Sequence, residues 1–236
     1  MGLLSRKPKV SIEEFCRQFY DTDVFNPTVL AGVDVGEAFW ETAFNSVVEA
    51  AKSFEAVDRA KFRHEMTALR MELFGLAWMH KFKRGELTIP QSVFTRHYLE
   101  KNGKIEIWDM MVEYNQATAD SVTLTATGER MKDWQVVKYN KTKLDILIKK
   151  WLPRLEAQGR EINQELVDCA AAVANRIGAD IRKNDCILVK RLTVRLADRL
   201  GCDISLNSEA LFRLGVVIFG LYEGATEAIK GVNLES

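Results

Sequence analysis

The chain is poor in residues that break or staple a fold. Four prolines (Pro8, Pro27, Pro90, Pro153) occur in 236 residues, so long helices can run without a kink or a stop. The four cysteines, Cys16, Cys169, Cys186 and Cys202, are far apart and form no Cys-x-x-Cys. That spacing argues against a structural zinc site and leaves buried free thiols as the plain reading. A formal net charge of zero argues against a wholly basic nucleic-acid binder, though not against a local patch. The longest apolar runs, such as Gly215 to Tyr222, are too short to span a bilayer. The first residues carry no sustained apolar stretch of a signal peptide, and Arg6 stands where a myristoylation signal needs Ser or Thr. The expectation is a soluble protein in the reducing cytoplasm.

What is present reads as helix. Ser11 with Glu14 makes a capping box, followed by Ile12, Phe15, Cys16 and Phe19 on one face. Residues 21–33 read as an irregular link, so we expect residues 1–33 to form an N-terminal helix and link, and 34–236 the all-α domain. A helix opened by Asp34 and Glu37 carries a seam of Trp40, Ala43, Phe44, Val47, Ala51 and Phe54. A third spans about 56–83. Pro90 suits the first turn of a fourth, bearing Val93, Phe94, His97 and Tyr98 and stopped at Asn102-Gly103. A fifth covers about 105–119 with Trp108, Met111 and Val112. Residues 121–128 alternate like a strand, but one strand has no partner, so a break or a weak helical continuation is expected. Further helices fall at about 130–139 and 143–152. Ile162, Leu166, Cys169, Ala170, Val173 and Ile177 make another apolar face. The last helices are expected at about 186–200, stopped by Gly201, and 208–230.

Two segments, 71–79 and 210–222, are apolar on all sides and should lie at the centre of one domain of about eight helices. A buried core and a homo-oligomer seam would both produce that pattern. Glu72 is the sole carboxylate of the first segment and must be paired, hydrogen-bonded or neutralised there.

Asp58, Glu65 and Glu72 recur every seven residues and His80 follows on nearly the same side. Glu65, Glu72 and His80 are therefore the candidate ligand or metal residues. Glu72 and His80 lie about 12 Å apart along a helix, so one ion cannot join them directly. None of the three histidines forms the Glu-x-x-His of a di-iron bundle, and His64-Glu65 lacks the second histidine of a zincin. No Gly-x-Ser-x-Gly, Walker A or Gly-x-Gly-x-x-Gly occurs, so no catalytic residue and no cofactor is assigned.

Charge supplies the remaining asymmetry. Residues 130–154 hold eight basic side chains against two acids. Lys138, Lys141, Lys143, Lys149, Lys150 and Arg154, with Trp134 and Trp151, are candidates for polyanion contact by phosphate pairing and base stacking. A solvated face with snorkelling lysines is the plain alternative. Arg191, Arg195 and Arg199 form a second basic row at i+4 spacing. Leu196 to Gly201 faintly follows the first helix and turn of a helix-turn-helix, although the next helix has an apolar body. The sequence favours a non-enzymatic helical binding or assembly protein, with a protein partner or a second copy as its partner. The alternatives are a small-ligand or metal-binding protein using Glu72, and a nucleic-acid or polyanion binder.

Overall fold

The computed structural model describes residues 9–22, 36–50, 52–81, 88–103, 106–126, 187–202, 204 and 209–234. Among these the fold is all-α. In order run α1 (Ile12–Asp21), α2 (Gly36–Ala50), a short 3-10 turn (Lys52–Phe54), α3 (Arg59–Lys81), α4 (Thr88–Asn102), α5 (Glu106–Ala126), α6 (Ile187–Leu200) and α7 (Glu209–Gly231). An isolated parallel bridge joins Val10 to Leu234, so the described ends of the chain meet.

Local chemistry sets the helix ends. The Ser11 hydroxyl accepts from the Glu14 amide at 3.1 Å and caps α1. Asp58 accepts from the Ala60 and Lys61 amides at 2.7 and 3.3 Å, so it caps α3. Gly201, at φ 76°, ends α6, and the Cys202 amide returns to the Ala197 carbonyl at 2.9 Å. Only glycine adopts such a backbone without a steric cost. The strand-like alternation at 121–126 is helical continuation of α5.

α3 is the hub, packing against α2, α4, α5, α6 and α7. Every residue from Ala68 to Trp78 is buried, as the all-round apolar pattern requires. α7 is its main neighbour, buried throughout Leu214–Tyr222. The second all-round apolar segment is thus a core helix, and α7 does not present the exposed recognition face of a helix-turn-helix. Phe74 anchors an aromatic knot, its ring 4.6 Å from Phe19, 4.8 Å from Phe94, 5.6 Å from Trp78 and 5.9 Å from Phe15.

α5 departs from its expected phase. It buries Ile107, Met111, Tyr114 and Ala117, while Trp108 and Val112 are 47% and 52% exposed. The helices expected at 130–139 and 143–152, and the apolar face from Ile162 to Ile177, lie outside the described residues.

Candidate functional site

The central helix carries ionisable side chains inside the core, and each is met by a different neighbour. Glu65 is 1% exposed. Its Oε2 accepts from the Tyr114 hydroxyl at 2.9 Å and from Arg199 Nε at 2.7 Å. This ties α3 to α5 and α6 at one atom. Burial first, and then the charge of Glu65, push the Tyr114 hydroxyl well above its ordinary pKa, so it stays a neutral donor. The bond to Glu65 leads the upward shift of Arg199. One turn outward, Arg195 pairs with Glu113 at 3.4 Å.

His64 turns toward α4, where its Nδ1 lies 2.8 Å from the Tyr98 hydroxyl. Burial leads the rise of the Tyr98 pKa, followed by the charges of Glu106 and Glu65.

Glu72 has a different setting. It is 2% exposed and accepts from Asn115 Nδ2 at 3.0 Å. Burial raises its pKa to about 7, opposed only by that bond from a neutral amide. Glu65 finds an ion pair and Glu72 an amide.

Arg70 serves the other side of α3. It is 4% exposed. Its Nη2 donates to the carbonyls of Phe19, Tyr20 (3.3 Å) and Thr22 (2.8 Å). These are the acceptors at the C-terminal end of α1, so a cation on α3 caps a helix docked across it. Asp21 adds a second tie, contacting His97 Nε2 at 3.0 Å and Lys101. Burial acts to raise the Asp21 pKa, but the bonds from Lys101 and His97 outweigh it and leave the group below its usual range.

Seven residues of helical rise separate Glu65 from Glu72 by about 10 Å. Glu65 and Glu72 share α3 without a common partner among the described residues, and the His80 side chain lies outside them. Among the described residues no group of three or more His, Cys, Asp or Glu side chains could hold a metal ion. Trp134, Lys138, Lys141, Lys143, Lys149, Lys150, Trp151 and Arg154 all lie outside the described residues. The sequence singled out neither Tyr114 nor Asn115. Their positions on α5 hold no clue beyond Tyr114 standing three residues after Met111 on the buried face.

The outward face of α5 is the other distinctive surface. Trp108 and Val112, four residues apart, are the exposed large hydrophobics among the described residues. The same helix exposes Glu106 and Asp109 and half-buries Glu113.

No family model, curated protein or solved structure matches the chain. No described helix is long and apolar enough to cross a membrane.

Proposed function

We propose that this chain is a helical binding or assembly protein that docks a protein partner through the outward face of α5. The observation that carries the reading is the exposure of Trp108 and Val112 on one stripe of a helix whose core-facing positions are already filled. Tryptophan supplies large contact area and is enriched among interface anchors. The charged groups buried on α3 support the same reading. Arg70 and Glu65 are engaged by carbonyls, a phenol and a guanidinium of the fold itself, as structural polar pairs are.

A second reading keeps one observation in its favour. Glu72, with a pKa raised to about 7 and a neutral amide as its partner among the described residues, is a carboxyl that a cationic or hydrogen-bonding small molecule would stabilise in charged form. Metal analysis of the purified protein, with a thermal-melt screen of metabolites and divalent ions, separates the two. A binding or assembly protein shows no stoichiometric metal and no large shift, whereas a ligand at 100 times its Kd adds about 2.7 kcal/mol. A metabolite that stabilises the native chain but not the Glu72→Gln variant would replace the first reading with the second. The basic segment 130–154 retains its sequence-based proposal as a polyanion contact.

A further inference from the structure

We infer that the α1–α4 contact is a pH-sensitive clasp, in which a proton on His97 holds α1 against the bundle and its loss loosens α1. The inference is independent of the α5 stripe. His97 is 9% exposed and sits on α4 between two carboxylates. Its Nε2 lies 3.0 Å from Asp21 Oδ1, at the end of α1, and its Nδ1 lies 3.6 Å from Glu100 Oε2, one turn along α4. Nδ1 is buried and has no hydrogen-bond partner.

A neutral imidazole has one N–H and one bare lone pair. With its proton on Nε2, the ring donates to Asp21 and turns the Nδ1 lone pair toward the Glu100 carboxylate. With its proton on Nδ1, the Nε2 lone pair meets Asp21 at hydrogen-bond distance. Either neutral form leaves a lone pair facing an anion, and the imidazolium alone donates at both ends. Charge balance points the same way. Lys101 contacts Asp21, so a proton on His97 brings Asp21, Glu100, Lys101 and His97 together to neutrality. Tyr20 adds no charge, since burial first pushes its hydroxyl up to about 12; its ring meets the imidazole edge-on at 4.9 Å. The other charged groups around this corner are engaged elsewhere. Glu13 of α1 pairs with Arg96 and Arg17. From α3, Arg70 is held by the carbonyls at the end of α1 and His64 meets the Tyr98 hydroxyl. The charge of Glu106, on α5, acts on Tyr98.

Histidine changes charge between about pH 5 and 8. Asp21, whose pKa lies below its usual range, stays ionised through that window. On its acid side His97 is a charged donor to Asp21, about twice as strong as a neutral one. On its alkaline side that bond weakens and the Nδ1 lone pair opposes Glu100. Docking of α1 therefore weakens as pH rises. A loosened α1 uncovers Phe15, Cys16 and Phe19 and the Phe74 and Phe94 rings packed against them.

The test is hydrogen exchange read by mass spectrometry on the full chain at about pH 5.5 and about pH 8, either side of the charge change of histidine, with each rate divided by its intrinsic chemical rate. In the native chain, protection of the α1 amides should fall about three- to fivefold between the two, the range of partly exposed ion pairs. His97→Gln should remove that fall while the pH response of core amides across 66–78, which belongs to Glu72, persists. Glu100→Gln changes an exposed side chain and supplies an amide that can donate to the bare Nδ1. It should raise α1 protection at the higher pH toward the acid value. Native α1 amides equally protected at both pH values would overturn the inference, and so would a fall that survives His97→Gln. Should His97→Gln leave α1 unprotected at both pH values, Glu100→Gln decides: recovery at the higher pH supports the clasp, and an unchanged native fall refutes it.

Discussion

At Glu72 burial holds the carboxyl at a pKa of about 7, above the 4.5 of an unburied glutamate. Between those values the native chain keeps a proton that the unfolded chain has released. Stability therefore falls as pH rises across that window, by about 3 kcal/mol from this group, and is fully retained below it. Glu72→Gln should remove this slope. The variant should melt higher than the native chain at pH 8 and match it near pH 4.5, as differential scanning calorimetry at both pH values would show. Asp21 acts in the opposite sense, because its lowered pKa makes its contribution disappear as pH falls. The difference between native and variant isolates Glu72. A Glu72→Gln variant with an unchanged slope would show that the carboxyl is hydrated.

Glu65 belongs to the same scale with a different outcome. Removing it leaves the Tyr114 hydroxyl buried and Arg199 without its carboxylate partner, so Glu65→Ala should cost about 3–5 kcal/mol in urea denaturation. Glu72→Ala should cost less, since its partner Asn115 is exposed and can turn to water. Sequence reading pointed to burial of Glu72, because its neighbouring positions are apolar, and singled out Glu65 only by its seven-residue spacing from it. It could not name their partners. Tyr114 lies 49 residues from Glu65 and Arg199 lies 134 away, and no local pattern encodes such a distance.

Helices whose ends and faces are set locally were legible. Ser11, Gly103 and Gly201 mark real boundaries, and the seam Trp40, Ala43, Phe44, Val47 is buried as its spacing requires. α5 was not. Its apolar residues satisfy two helical phases, Ile107–Met111–Tyr114 and Trp108–Met111–Val112, and only packing against α3 and α6 selects the first.

α1 gives the element-scale prediction. Its apolar face docks through Phe15, Cys16 and Phe19, and its C-terminal carbonyls depend on Arg70. Arg70→Met keeps most of the stem but removes the donors, leaving carbonyls at a helix end unsatisfied. Cys16 is fully buried and burial pushes its thiol up to about 12, so it is inert while α1 is docked. The variant should label at Cys16 at least about tenfold faster with a thiol reagent, located by peptide mapping, as α1 opens locally. Labelling at the native rate would mean that the aromatic contacts hold α1 without the guanidinium.

At the largest scale, α3 and α7 form the centre of the described residues and the exposed Trp108–Val112 stripe of α5 stands apart from it. On the reading proposed above, the buried polar groups serve the fold while the Trp108–Val112 stripe serves association. Hydrogen exchange read by mass spectrometry, on the native chain and on the Trp108→Glu variant, tests both halves at once. Amides across 66–78 and 214–225 should exchange slowest in both, near the global unfolding limit. A stripe that serves association carries no part of the core, so those amides should keep their native rates in the variant. Core amides that exchange as fast as α5, or that speed up in Trp108→Glu, would contradict the account.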